Sequence, residues 1–383
     1  MERELVELTS RLVAIDSVNP DLVAGGAGEA EAAAFVAGWA DAEGLAAELL
    51  EDTRGRPSVL VRSGASRDGP TLLLCGHLDT VGVDGMAEPH APRVEGDRLH
   101  GRGAYDMKAG VAAALLACRE AARLGLAGTV VVAAVADEEH ASLGVQDALR
   151  SVSADAAVVT EPTELEVAIA HRGFAWLEIE VDGRAAHGSR PHLGMDAIVK
   201  AGPVLTALGR LDEALGEKPH PLVGRGSVHA STIGGGSELS TYPDRCTIGL
   251  ERRTLPGEAA AAVEGEIATL LEECRREDPE LSARSRTLLV RDPFEIGADE
   301  PIVAAVREAS AEVLGSPAPL SGASYWADSA FIAAAGIPTV LFGPSGEGAH
   351  AVEEWVSIPD TIAVTRTLVG VARRVCGSNQ AGS

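Results

Sequence analysis

Cysteine is sparse and unpaired in this chain. Five thiols (Cys75, Cys118, Cys246, Cys274 and Cys376), an odd number set far apart with no CxxC pair, exclude a disulfide framework and a thiolate zinc site and fit a reducing cytoplasm. Cations are also short: 32 lysines and arginines face 57 acids, for a formal net charge of −25. Such a chain repels phosphate backbones and anionic headgroups, so neither nucleic acid nor a membrane surface is expected as its partner. No apolar run approaches transmembrane length. Residues 1–15 are charged and amphipathic, with Leu5, Leu8, Leu12 and Val13 on one stripe, unlike a signal peptide. A GxSxG nucleophile elbow is missing too, since Ser324 lies in Gly-Ala-Ser-Tyr-Trp and Ser345 in Gly-Pro-Ser-Gly-Glu, which removes serine hydrolysis of that type. Gly101-Arg102-Gly103 completes neither GxGxxG nor GxxxxGK and follows no clean strand, so a nucleotide-binding module is only a remote alternative.

What is present is a long chain with ample core. Its 383 residues exceed the usual size of one domain and 46% are hydrophobic, so two folded domains are expected. Disorder is expected only at the polar Gly-Ser-Asn-Gln-Ala-Gly-Ser tail. Apolar runs at 71–75, 129–135, 156–159 and 339–342 lack polar alternation and read as buried parallel strands. Helical patterns at 107–124 and 302–314 lie among them, and the alternation implies a layered α/β domain. In the middle the pattern changes: Leu177, Ile179 and Val181 alternate with Glu178, Glu180 and Asp182, the mark of a sheet with one wet face. From there the chain reads as strand 175–181, helix 195–208, strands 228–233 and 246–252, helix 258–276 and a strand near Leu288. That order is βαββαβ, the ferredoxin-like arrangement, inserted into the α/β domain. The expected divisions are 1–172, 173–289 and 290–383.

Metal-capable residues recur at the ends of the buried runs: His77 after the first, Glu138 and Glu139 after the second, Glu161 after the third, and His350 in a Gly-rich loop after the fourth. In open α/β sheets the carboxyl ends of the strands share one crevice, so these residues are expected to meet. Singly each has an ordinary explanation: a structural histidine for His77, an acid pair at a helix start for Glu138 and Glu139, an N-cap for Asp106, a turn residue for Glu161 before Pro162. Together they supply imidazoles and carboxylates, a set suited to Zn2+ and also to Co2+ or Mn2+. Five ligands suggest two metals, with Asp106 and its two oxygens as the natural bridge. If the chain is extended at Glu138 and Glu139 they face opposite ways, so one can bind metal while the other works on the attacking water. Asp79, two residues after His77, points the same way on an extended strand, where its carboxylate can orient the imidazole.

The motifs Gly-His-Leu-Asp-Thr-Val (76–81), Gly-Arg-Gly-Ala-Tyr-Asp-Met-Lys-Ala-Gly (101–110), Asp-Glu-Glu (137–139), Thr-Glu-Pro-Thr (160–163) and Gly-Ala-His (348–350) occur in that order. With them the chain resembles, over nearly its whole length, the zinc-dependent aminoacylases, acetylornithine deacetylases, succinyl-diaminopimelate desuccinylases and glutamate carboxypeptidases. The resemblance implies a zinc-peptidase-like catalytic domain with the inserted domain acting as lid and homodimer interface. It assigns one metal to His77, Glu161 and bridging Asp106, the other to Glu139, His350 and Asp106, and the general base to Glu138. It also implies a cis peptide between Asp106 and Met107. In Ala186-His187-Gly188 it implies the lid histidine that reaches the substrate carbonyl oxygen in the partner subunit's site. In Glu-Arg-Arg-Thr-Leu-Pro it implies that Arg253 pairs with a substrate carboxylate, with Arg252 competing for the role. One departure is Glu-Leu-Ser-Thr-Tyr-Pro (238–243), where many members have Asn before the Pro. The segment Ser324 to Asp328 lies where the family lines its pocket and is given no catalytic role. The implied reaction is metal-dependent hydrolysis of an amide in an N-acyl amino acid or short peptide. Deacylation is favoured over a glutamate-type carboxypeptidase or dipeptidase, and a non-catalytic binding protein is a distant third.

Overall fold

The computed structural model describes residues 1–64 and 69–377, so the tail from residue 378, expected to be disordered, lies outside the described residues. The chain divides into two compact units. One comprises Met1–Ile169, Ile296–Ser321 and the residues from Ala327 onward; the other comprises Ala170–Glu295 and Gly322–Trp326.

In the first unit Thr71–His77 runs parallel to Thr129–Val135 on one side and to Ala156–Val159 on the other, and Thr339–Leu341 runs parallel to Ala156–Val159. Thr129–Val135, read as TVVVAAV, is buried at every position; a strand covered on both faces carries apolar, largely β-branched residues throughout instead of alternating. Two antiparallel strands, Ser58–Arg62 and Ala46–Leu50, extend this core to one edge, and Val167–His171 continues it beyond Thr339–Leu341. The helix Ala109–Leu124 is rich in alanine and buried on most sides; it packs against Ile358–Cys376, which in turn packs on Pro301–Leu314. The four strands expected from the apolar runs are present. Ala46–Leu50, Ser58–Arg62 and Val167–His171 were not expected. Nor was the small sheet that joins Gly346–Glu347, Trp355–Ser357, Arg98–His100 and Arg93–Glu95 in that order.

The second unit is a four-stranded antiparallel sheet in the order Ser227–Gly235, Arg245–Thr254, Gly173–Asp182, Ser282–Arg291, with helices Ala197–Leu215 and Ala260–Glu277. Ala175, Leu177, Ile179 and Val181 enter one core with Ile248, Leu250, Val204, Leu208, Ile267 and Leu271. The intervening positions carry a charge ladder on the other face: Arg286 on Glu178 at 2.8 Å, Arg245 on Glu180 at 3.3 Å and Arg284 on Asp182 at 2.7 Å. Asp196 starts the first helix by accepting the N–H groups of Ile198 and Val199, both at 3.0 Å. The expected βαββαβ order is therefore the observed one. The divisions differ from those expected because the second unit reaches further along the chain in both directions. Phe294 pairs with His171 across the junction strands, and the segment Gly322–Trp326, expected with the first unit, returns to the second. There Trp326 meets the rings of His171 and Phe174 edge-on at 6.1 and 6.4 Å. Among the described residues no helix is long and apolar enough to cross a membrane.

Gly110 marks where the long helix meets the strand end that leads to Glu161: a Cβ there would stand 2.1 Å from the carbonyl oxygen of Thr160. Alanine in place of a helical glycine ordinarily stabilises by up to about 1 kcal/mol. Gly110→Ala should instead destabilise by about 1–3 kcal/mol, as overpacking does. A denaturant melt showing higher stability would contradict this close approach.

Candidate active site

His77 is the last residue of its strand, Glu138 and Glu139 follow Thr129–Val135, and Glu161 follows Ala156–Val159. Their side chains converge within the first unit. His77 Nε2 lies 3.1 Å from Asp106 Oδ1 and 3.8 Å from Glu161 Oε1, while His350 Nε2 lies 3.3 Å from Asp106 Oδ2 and 3.2 Å from Glu139 Oε2. Asp106 thus turns one oxygen to each imidazole, and each imidazole has a second carboxylate of its own. The ligand atoms of His77, Glu138 and Glu161 lie within 4.8 Å of one another, as do those of His77, Asp106 and Glu139. Asp106 reaches this position through a kinked turn, Ala104–Lys108, entered from Gly103 at φ +77°; inside it Asp106 and Met107 leave helical geometry and are joined by a cis peptide.

Asp79 does something other than expected. His77 Nδ1 is held at 2.9 Å by the Asp79 backbone carbonyl, whereas the carboxylate stands 3.7 Å away. A carbonyl only accepts, so Nδ1 carries a proton; Nε2, facing the Asp106 carboxylate, carries one as well in the metal-free protein and donates it to Oδ1, so a cation would take the place of the Nε2 proton. The strand ends at His77, and beyond it the Asp79 carboxylate turns to the next loop. It accepts the Glu138 N–H at 3.1 Å and the Glu139 N–H at 3.2 Å. Asp79 therefore orients the imidazole with its main chain and the two glutamates with its side chain.

Behind Asp79 runs a buried chain that sequence reasoning missed. Asn19 donates to Asp79 Oδ2 at 2.8 Å and to Asp137 Oδ1 at 3.0 Å. Arg56 pairs with Asp137 at 2.7 Å and grips both oxygens of Glu29 at 2.7 and 2.8 Å. Only Asp137, heading the Asp-Glu-Glu motif, carried any signal in sequence. Asp328, at the end of the pocket-lining segment that was given no catalytic role, is buried and raises the proton affinity of both Glu138 and Glu161.

The electrostatics follow from crowding. Burial first, then Glu161, Asp328 and Glu139, push the Glu138 carboxyl well above the ordinary carboxylate range, against the opposing pull of His77. Burial, Asp106, Glu139 and Asp328 do the same to Glu161. Burial acts against the charged form of Asp106 too, but hydrogen bonds from His350 and His77 outweigh it and hold that carboxyl low. Burial likewise disfavours a charged His77, yet Asp106, Glu161 and Glu138 keep its proton affinity well above the usual imidazole value. His350, bonded to Asp106 and Glu139, is raised to about 10.

The remaining predicted residues lie in the second unit. His187 is exposed, and its Nδ1 accepts the Ser189 N–H at 3.1 Å beside Ser189 Oγ at 2.8 Å. Arg253 is half-buried, with Nε on Glu251 Oε1 at 2.6 Å and its guanidinium 5.2 Å from the Phe174 ring centre. Arg252 is fully buried between Glu258 at 3.0 Å and Glu266 at 3.1 Å, which leaves Arg253 as the accessible member of the pair. Next to His187 the departing segment 238–243 contributes the Ser240 carbonyl, which accepts the Gly188 N–H at 2.7 Å.

Comparison with known proteins agrees with this geometry. Residues 73–374 match Peptidase family M20/M25/M40, and the chain belongs to that family. It is 30% identical over 328 residues to the acetylornithine deacetylase of Myxococcus xanthus, covering 83% of this chain and 84% of that one. It is 26% identical to the acetylornithine deacetylase of Aliivibrio fischeri, over 96% and 98% of the two chains. Among solved structures, aminopeptidase PepT from Bacillus cereus superposes with a TM-score of 0.79 at 21% identity, over 98% of this chain and 99% of that one. A dinuclear metal binding peptidase of the M20 family from Bacillus subtilis gives 0.76 at 17% identity, over 98% of both chains. The chain is thus a hydrolase of a dinuclear metal-dependent family that cleaves amide bonds. Its donor set fits two divalent cations. Two imidazoles and several buried carboxylates meet within bonding reach, and their mutual repulsion is relieved only by positive charge placed among them.

A pH dependence follows. Because the His350 value is raised, its attraction to Asp106 and Glu139 stabilises the metal-free protein below about pH 6.5, the ordinary imidazole value. That contribution is lost as pH climbs through about 10. A cation taking that nitrogen displaces the proton, so apparent affinity should rise about tenfold per pH unit for each proton released in this window. Calorimetric titration of the apoprotein at pH 7.5 in buffers of different ionisation heat should show at least one proton released per protein; buffer-independent heats would contradict a protonated His350.

Proposed function

We propose that the chain hydrolyses the amide of a small N-acyl amino acid, releasing a carboxylic acid and the free amine. The observation that carries this is Asp106, whose two oxygens face two imidazoles that each own a further carboxylate. In this reading His77, Glu161 and Asp106 hold one divalent cation and Glu139, His350 and Asp106 the other, with Zn2+ the expected ion and Co2+ or Mn2+ alternatives. Such ions polarise an amide carbonyl and lower the pKa of water. Glu138 takes the proton as the water oxygen attacks the carbonyl carbon, then delivers it to the amine nitrogen as the C–N bond breaks.

Two features of the second unit support the substrate class. Since His187 Nδ1 accepts a main-chain N–H, the neutral ring carries its proton on Nε2, the tautomer able to donate to a carbonyl oxygen as negative charge builds. Arg172 is held below its ordinary value by burial and then by Arg253 and Arg225, so positive charge gathers around it, to which a substrate carboxylate would be drawn. By the family resemblance His187 acts in the site of a second subunit, and a homodimer is part of the proposal. It is supported by Ser227–Gly235, which lies at the edge of its sheet with Ile233 54% exposed, and by Val199, 70% exposed on the adjoining helix. A cytoplasmic location is supported by the five cysteines, all free and buried. The second reading, a dipeptidase or carboxypeptidase, is favoured by the peptidases among the solved neighbours and shares the same site.

Glu138→Ala should lower turnover by about 10²–10⁴-fold or more while two metals remain bound, measured by elemental analysis beside a rate assay. Near-normal rates would remove Glu138 from the mechanism. On a panel of acetyl-amino acids, succinyl-diaminopimelate and dipeptides, the acyl compounds should be turned over fastest, and exclusive cleavage of dipeptides would favour the second reading.

A further inference from the structure

Glu354 lies outside the metal-capable cluster, and its carboxylate is fully buried. It accepts four hydrogen bonds: from Tyr105 N at 2.8 Å and Asp106 N at 3.0 Å on one oxygen, and from Gly103 N at 3.0 Å and Arg102 Nη1 at 2.7 Å on the other. Three of these donors are main-chain groups of the turn that presents Asp106. The fourth, Arg102, reaches the other way: its Nη2 donates to the Ala351 carbonyl at 2.9 Å, next to His350. A closed path therefore runs from Asp106 N–H through Glu354 and Arg102 to Ala351 and His350, whose Nε2 returns to Asp106 Oδ2 at 3.3 Å.

The His350 side of the site needs such a brace. His77 sits at the end of a central strand with its ring fixed by a main-chain carbonyl, but His350 is on an exposed loop at φ +62°, a left-handed conformation that a non-glycine residue keeps only when its surroundings impose it. That loop is tightly drawn: Ala351 N–H bonds the Gly348 carbonyl at 2.9 Å, and Gly348, at φ +89°, passes so near the Glu353 carbonyl that a Cβ would stand 1.8 Å from it. Below it, Trp355–Ser357 pairs with Arg98–His100, Trp355 opposite His100, so the two loops leave adjacent strands and Glu354 closes the gap between them. A single charged acceptor satisfying four donors in fixed directions holds both more rigidly than neutral contacts would.

We propose that Glu354, through Arg102, is a positioning residue that sets the spacing of His350 and Asp106 and thereby the affinity of the cation they share. This rests on the reading that His350, Glu139 and Asp106 hold one of two cations. Wild-type apoprotein is first titrated with Co2+ by calorimetry, with His350→Ala and His77→Ala as references for the two sites; wild type binding fewer than two ions would sink that reading itself. Given two ions, Glu354→Gln, which faces amide hydrogens toward donors, should weaken about 10–100-fold the same binding step that His350→Ala removes, the range typical when a partner of a metal ligand is lost. The step that His77→Ala removes should shift by less than about threefold. Arg102→Met should produce the same selective loss, and it carries the test if Glu354→Gln does not fold. Equal weakening of both steps, no weakening of either, or failure of both variants to fold would overturn the proposal in favour of a purely structural ion pair.

Discussion

Negative charge gathered where water is scarce is the constraint on which this molecule depends. Glu138, Glu139, Glu161, Asp106 and Asp328 meet at the carboxyl ends of a buried parallel sheet, and each raises the cost of ionising its neighbours. Without cations the cluster compensates with protons: His77 and His350 keep theirs, and the glutamates bind theirs more tightly. The same crowding would favour divalent ions, since each proton displaced would be replaced by a stronger positive charge among the same oxygens. Glu138 stands beside rather than within the paired imidazole contacts, which in the proposed mechanism separates proton transfer from metal holding.

Crowded charge is useful only if it cannot rearrange, and most of the buried polar structure around the site prevents that. Asp79 divides its work, main chain to His77 and side chain to the N–H groups of Glu138 and Glu139. Asn19, Asp137, Arg56 and Glu29 fix Asp79 in turn. On the far side Glu354 and Arg102 fix Asp106 and the His350 loop. Arg56 and Arg102 are both buried against carboxylates, Arg56 through four hydrogen bonds to Asp21, Glu29 and Asp137 and Arg102 through one to Glu354 and one to the Ala351 carbonyl, the kind of pairing under which a buried ion pair is tolerated. The two residues proposed to act from the second unit differ in kind, since His187 is exposed and Arg253 half-buried.

Much of the site was legible before any coordinates because the chemistry uses few residue types at positions with a local signature. His77, Glu138, Glu139 and Glu161 each directly follow an apolar run, and the strand ends shared by one sheet oblige them to meet. The βαββαβ unit was legible because Leu177, Ile179 and Val181 keep strict alternation along a strand with one wet face. Less visible were the edge strand Ala46–Leu50 and its neighbour Ser58–Arg62, and the short strands of two or three residues beside His350, too brief for any period to register. Asn19, Arg56 and Glu354 were invisible for another reason: a polar residue in a loop looks the same whether it faces solvent or closes a buried network.

The sequence by itself determined the metal-capable residues, the two kinds of sheet and the family, because periodicity and motif spacing are properties of neighbouring positions along the chain. Tertiary structure alone decided that the Asp79 carboxylate serves the two glutamates more closely than His77, that Arg253 and not Arg252 is accessible, that Gly322–Trp326 returns to the second unit, and that Glu354 joins the loops of Asp106 and His350. Each of these is a hydrogen bond, ion pair or ring contact whose partners and directions are set only when the folded backbone brings its segments together, and such contacts leave no periodic trace in the sequence.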